Sequence, residues 1–124
     1  MNKPRILFID DEPQELGAVG SGLEERGYHV LTADGGKRAL EILKSKTPDI
    51  IITDLRMAPM NGFELLQEVK KFSKFRDTPF LFLTAINDPL ALEYGQKLGV
   101  DAYVLKPVEL EDLDSVIKNK LAIR

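Results

Sequence analysis

The sequence predicts one doubly wound α/β domain of the (βα)₅ type, and three observations carry that prediction. Five short apolar runs recur along the 124 residues. Each is followed by a segment whose apolar residues repeat with helical period. Neither an internal repeat nor a low-complexity linker interrupts the alternation. Right-handed crossovers would place helices on both faces of a parallel sheet, whereas a closed eight-stranded barrel needs about twice the length.

The apolar runs are RILFI (5–9), HVLTA (29–33), DIIIT (49–53), PFLFLT (79–84) and AYVL (102–105). They are rich in Ile, Val, Leu and Phe, and three lack polar alternation, the pattern of strands covered on both faces. In the first helical segment Leu16, Val19 and Leu23 share a face. Gly17, Gly20 and Gly22 weaken that helix by roughly 1 kcal/mol each relative to alanine, so it must lean on tertiary packing. The second spans about 37–44, with Ala39, Leu40 and Leu43 inward. The third starts near Gly62 and is expected to bury Phe63, Leu66, Val69 and Phe72. Asp88 and Pro89 open the fourth as cap and first helical residue, and Gly99 closes it in a left-handed conformation. The last runs from about Leu110, with Leu113, Val116, Ile117 and Leu121 on one face.

Composition narrows the functional classes. Hydrophobic residues make up 44% and charged residues 30%, as in soluble globular domains. A net charge of −3 with no basic stripe gives no reason to expect direct nucleic-acid binding. The absence of cysteine excludes disulfides, zinc–thiolate sites and cysteine nucleophiles, and His29 is the only histidine. MNKPRILFID lacks a signal-peptide cleavage site, and no apolar segment reaches membrane-spanning length. A cytoplasmic protein without membrane attachment is expected.

Open parallel sheets gather their sites at the carboxyl ends of the strands. Here those ends are Asp10-Asp11-Glu12, Asp34-Gly35-Gly36, Asp54, Thr84-Ala85 and Lys106-Pro107. Asp34 beside two glycines reads as a turn, and Glu12 before Pro13 could serve the helix dipole as well as an ion. Asp10 and Asp11 alone could be caps, but Asp54 at the same edge adds a charge that calls for a cation. A divalent ion preferring oxygen ligands fits, Mg²⁺ best, held by one or two carboxylates, a backbone carbonyl and retained waters. Such a site suits a phosphoryl group. The metal and Lys106 would neutralise its oxygens, Thr84 would donate to another, and Asp54 would be the nucleophile that becomes an aspartyl phosphate. Lys106-Pro107 could adopt a cis bond.

Together, ILFIDDEP, ITDLRMAPMNGFELL, LTA and AYVLKPVE closely resemble the receiver domain of two-component response regulators, in the manner of chemotaxis regulators. The resemblance covers 1–124 as a single receiver domain, free-standing or cut from a longer response regulator or hybrid protein. It implies a flavodoxin-like fold with strand order 2-1-3-4-5. It also implies that Asp54 accepts a phosphoryl group from a phosphohistidine of a histidine kinase or histidine phosphotransfer protein. Asp11, Asp54 and the Arg56 backbone carbonyl would ligate Mg²⁺, for which Mn²⁺ could substitute, and Asp10 would act through metal-bound water. Thr84 and Lys106 match the phosphoryl-contacting hydroxyl and lysine, and Thr84 and Tyr103 match the switch pair. Phosphorylation adds about −1.5 to −2 charge and would reshape the face built by the fourth helix, fifth strand and fifth helix. That face would meet a downstream protein target, signal to a fused output domain, or form a homodimer. Glu93, Lys97, Asp112 and Lys118 are candidate exposed charges there. The module would catalyse its own phosphorylation and dephosphorylation without being an enzyme for an external substrate.

One departure from the family pattern concerns Met57-Ala58-Pro59-Met60, where proline comes one residue late and should alter the loop presenting the Arg56 carbonyl. Ile86 and Arg56 flank the site, so slow autodephosphorylation is expected. Two other functions compete with this reading. An aspartate-nucleophile phosphatase needs an acid two residues beyond its nucleophile; Asp54 is followed there by Arg56, and Asp10 by Glu12. A receiver-like interaction module that has abandoned phosphorylation would usually have lost acids, hydroxyl or lysine, all of which are retained.

Overall fold

Strands and helices alternate five times in the computed structural model, which describes residues 3–122. They are β1 (Arg5–Ile9), α1 (Pro13–Glu25), β2 (His29–Ala33), α2 (Gly36–Leu43), β3 (Ile50–Thr53), α3 (Gly62–Lys70), β4 (Phe80–Thr84), α4 (Pro89–Leu98), β5 (Ala102–Leu105) and α5 (Leu110–Ala122). A short 3₁₀ turn at Ser73–Phe75, which periodicity did not reveal, links α3 to β4. All strand pairs are parallel and the order is β2-β1-β3-β4-β5.

The pleat sends alternate side chains of the central strands to two separate cores. Leu7, Ile9, Ile51, Phe80 and Phe82 face α2 and α3, where Ala39, Leu43, Leu65, Leu66 and Val69 meet them. Ile6, Phe8, Ile50, Ile52, Leu81 and Leu83 face α1 and α5, where Leu23, Leu113 and Ile117 close over them. Each buried Leu, Ile, Val or Phe among them contributes roughly 1.5–3 kcal/mol by leaving water. Burial on both faces explains why these strands read as nearly continuous apolar runs.

Local chemistry sets the helix ends. Asn61 and Glu64 form a reciprocal capping box at α3. Asp88 accepts from the Leu90 N–H at 3.0 Å, Pro89 follows, and Gly99 closes α4 at φ 92°, as expected. Two expectations for α3 need correction. Phe72 is 50% exposed because α3 ends at Lys70, so Phe72 falls outside its apolar stripe and lies edge-on to Phe75. Phe63 is only partly buried, its ring meeting Phe82 and Tyr94 at 5.4 and 4.9 Å, while Leu65 takes the core position.

The α1 glycines differ in role. Gly20 and Gly22 are buried, and a Cβ on Gly22 would collide with the Leu110 side chain at the start of α5. Gly17 faces open space. The helix therefore pays backbone entropy at Gly22 for close approach to α5.

Candidate functional site

Backbone pairing carries the site residues to one edge. The β1–β3 register joins Ile9 to Thr53, and one step further the Asp54 N–H donates to the Ile9 carbonyl at 3.1 Å. The Asp10 N–H donates to Ala33 at 3.1 Å, continuing the β1–β2 pairing. On the other side Leu105 pairs with Thr84, and the Lys106 N–H donates to the Thr84 carbonyl at 2.9 Å. Asp10, Asp54, Thr84 and Lys106 thus follow directly from strand order and register.

The Lys106 ammonium sits among three carboxylates. Its Nζ lies 3.0 Å from Asp54 Oδ2, 3.2 Å from Asp10 Oδ2 and 2.6 Å from Glu15 Oε1. Burial alone would push its pKa down. The hydrogen bonds to Glu15 and Asp54, then the attraction of Asp54 and Asp10, outweigh that and hold it above the usual lysine range. Asp10 is only 1% exposed, and burial raises its pKa against the opposing pull of the Glu12 N–H and Lys106. The Glu12 N–H donates to Asp10 Oδ1 at 2.9 Å, fixing that carboxylate at the entrance of α1.

Asp54 is oriented by its own loop. Oδ1 accepts from the Leu55 and Arg56 N–H groups at 2.6 and 3.2 Å, which turns Oδ2 toward Lys106. The Asp54 carbonyl accepts from the buried Thr53 hydroxyl at 2.9 Å. Gly62 packs so tightly on this segment that a Cβ would stand 2.5 Å from the Asp54 carbonyl oxygen and 2.9 Å from the Leu55 Cα. Its N–H donates to Leu55, closing the loop. In that loop the Ala58–Pro59 peptide is cis, as is Lys106–Pro107.

Thr84 is buried, and its Oγ1 accepts from the Ile86 N–H at 3.2 Å. The Tyr103 hydroxyl donates to the Ile86 carbonyl at 2.7 Å, and its ring lies edge-on to Phe82 at 6.0 Å. Burial, then the negative charges of Asp88 and Asp54, raise the Tyr103 pKa. Ile86 therefore ties the hydroxyl residue to the aromatic one through both faces of a single residue's backbone.

The structure brings Asp10, Asp54 and Lys106 into contact, with Thr84 on the adjoining strand end. Asp11 and Arg56 are exposed beside them, and Asp34 is exposed in the turn before α2. Glu15 was not among the sequence candidates. Its only signal was its place one helical turn after Asp11, where an acid equally suits the helix dipole.

Among the described residues no group of three or more His, Cys, Asp or Glu forms a ready-made metal cage. A hard cation that keeps several waters needs only one or two carboxylates. The donor set here is all oxygen, and three carboxylates share one ammonium, so negative charge is in excess. The residues fit a divalent oxygen-seeking ion.

Comparisons with known proteins bear on the family and the fold. Residues 6–118 match the family model for the response regulator receiver domain. A probable transcriptional regulator of Porphyridium aerugineum is 36% identical over 121 residues, covering 98% of this chain and 49% of that protein. The transcriptional regulatory protein AfsQ1 of Streptomyces coelicolor is 32% identical, covering 93% and 50%. The chain thus spans about half the length of the curated relatives it matches. Among solved structures, chemotaxis response regulator CheY4 of Vibrio cholerae superposes with a TM-score of 0.90 at 30% identity, covering 96% of this chain and 99% of that one. TrrA of Thermotoga maritima, solved in complex with Mg²⁺ and BeF, gives 0.83 at 31% identity, covering 94% and 98%. No helix of the described residues is long and apolar enough to cross a membrane. With strand order, acid cluster and fifth-strand lysine all in place, the chain belongs to the response regulator receiver domains of two-component signalling.

Proposed function

We propose that this receiver accepts a phosphoryl group on Asp54 from a phosphohistidine of a histidine kinase or phosphotransfer protein. The observation that carries the reading is Lys106 Nζ, 3.0 Å from Asp54 Oδ2 and 3.2 Å from the buried Asp10. An Asp54 carboxylate oxygen attacks phosphorus, the P–N bond breaks, and its electron pair returns to the imidazole. Lys106 neutralises charge on the transferred group. The Ile86 N–H occupies a lone pair of Thr84 Oγ1, so the hydroxyl proton stays free for a phosphoryl oxygen.

Asp11, Asp54 and the Arg56 carbonyl would hold Mg²⁺, or Mn²⁺ in its place, with Asp10 contributing through water. When bound, the ion neutralises phosphoryl oxygens during transfer. The same residues make the module a catalyst of its own phosphorylation and dephosphorylation, working in the cytoplasm.

Attraction of Thr84 toward the phosphoryl group would pull on Ile86, and through it on Tyr103. The face that responds is α4-β5-α5, where Leu90, Leu92, Tyr94 and Leu105 are exposed. That apolar surface suits a downstream target, a fused output domain or a second copy of the chain.

Incubation with Mg²⁺ and acetyl phosphate should add about 80 Da, the mass of one phosphoryl group, and Asp54→Asn should abolish the gain. No gain in the native protein would favour an interaction module that does not take phosphate.

A further inference from the structure

Lys106 has three N–H donors, and the structure gives it three carboxylates, with the closest approach to Glu15 on the first turn of α1. A phosphoryl oxygen arriving on Asp54 needs one of those donors. Asp10 cannot release its share readily, because it is 1% exposed and already held by the Glu12 N–H. Asp54 becomes an acyl phosphate, and the Lys106 N–H it releases turns to the phosphoryl group, which still meets the Glu15 carboxylate as a competing anion on the same ammonium. Glu15 differs from both, since its side chain is 33% exposed and can swing into water at little desolvation cost. Among the described residues, it is the carboxylate partner of Lys106 that can leave without giving up a buried or reacting position.

We propose that Glu15 is an internal competitor of the phosphoryl group: its carboxylate occupies Lys106 in the resting state and must be displaced when Asp54 is modified. The inference rests on the receiver reading above and assigns Glu15 as a positioning residue acting through Lys106. It requires no new ligand, only exchange of one anion for another on a single ammonium. The ion pair lowers apparent affinity for the phosphoryl group by the free energy needed to break it, as any competing intramolecular contact does. It also ties α1 to the residue that follows β5 before Asp54 is modified, so phosphorylation would free the first turn of α1.

Beryllofluoride, which mimics a phosphoryl group on a carboxylate without covalent transfer, tests this. Titration at saturating Mg²⁺ is followed by the amide NMR signals of Thr84 and Lys106 in the native protein, Glu15→Gln and Glu15→Asp. Glu15→Gln should bind at about two- to fivefold lower concentration, the size expected for a partly exposed ion pair. Glu15→Asp keeps the charge but shortens the reach by one methylene, and should also bind more tightly. An unchanged or weaker midpoint in Glu15→Gln overturns the proposal. Tightening in Glu15→Gln but not in Glu15→Asp also overturns it, because a general field effect would then suffice. If the native protein takes no beryllofluoride, the receiver reading itself fails, and the proposal with it. Thermal unfolding of the three proteins identifies any variant whose midpoint moves because the fold has loosened. Glu15→Ala, which removes the carboxylate without introducing an amide, must then tighten binding for the proposal to stand.

Discussion

The Tyr28 hydroxyl donates a 2.5 Å hydrogen bond to Asp114 Oδ1, tying the entrance of β2 to the middle of α5 across 86 positions of sequence. Asp114 is buried, and Arg26 and Lys118 stand 3.7 and 3.2 Å from its Oδ2. Burial raises its pKa, but the Tyr28 and Lys118 hydrogen bonds, with the charges of Lys118 and Arg26, bring it below the ordinary aspartate value of 3.8. Tyr28 is raised in turn, by burial first and then by the aspartate.

Tyr28→Phe should therefore cost about 1.5–3 kcal/mol at neutral pH, the usual range for a hydrogen bond to a charged group. A depressed carboxylate pKa contributes stability that is present above the unfolded value and lost as pH falls through the folded one. The gap between native and variant should be widest at neutral pH and narrow below about pH 4. Urea unfolding at pH 7 and pH 3 measures it. A gap of equal size at both would mean that the charged form of Asp114 is not what the tyrosine stabilises.

Tyr103→Phe keeps the ring against Phe82 but removes the bond to the Ile86 carbonyl. The expected loss is about 0.5–1.5 kcal/mol, with the amide signals around Ile86 and Asn87 shifted by NMR. Tyr103→Ala removes the ring as well and should cost more, about 2–3 kcal/mol for a half-buried aromatic. Equal losses in the two variants would show that the ring contributes little packing.

Lys106→Ala leaves the buried Asp10 and its neighbour Asp54 without the ammonium that holds both. Breaking such a pair costs about 3 kcal/mol, the lower end of the buried range because Lys106 and Asp54 keep some exposure. Mg²⁺ should then raise the thermal midpoint of the variant more than that of the native protein, since binding to the folded state stabilises it by mass action. Identical shifts would mean that metal and lysine do not share the carboxylates.

Much of this architecture was legible because parallel strands buried on both faces leave little freedom in sequence. Ile6 to Ile9 and Ile50 to Ile52 are fully buried, so continuous apolar runs marked β1 and β3, and the acids that follow marked the edge. Register then placed Asp10 beside Asp54 without further information. What stayed hidden depends on contacts between distant elements. Glu15 was not singled out, since its partner is 91 positions away in sequence. Asp114 carries no signal of its own in the sequence, because the Tyr28 and Arg26 that close over it come from a distant segment. Phe72 was misassigned because period alone does not say where α3 stops.

Two glycines of this chain should respond to alanine in opposite directions. Gly17 lies inside α1 and a Cβ there meets nothing within 4 Å, so Gly17→Ala should stabilise by about 0.5–1 kcal/mol through reduced unfolded-state entropy and better helix propensity. Gly62 also lies in a helix, at the start of α3, and propensity alone would predict the same gain. Its Cβ would instead stand 2.5 Å from the Asp54 carbonyl and 2.9 Å from the Leu55 Cα, backbone atoms that cannot swing aside. Gly62→Ala should lose about 2 kcal/mol or more, as overpacked sites do. It should also displace the segment whose N–H groups orient Asp54 Oδ1. Chemical denaturation of both variants gives the two signs, and acetyl phosphate labelling of Gly62→Ala under native conditions shows whether the carboxylate has moved. A stable Gly62→Ala that labels like the native protein would show that the β3–α3 loop can give way without displacing the Asp54 carboxylate.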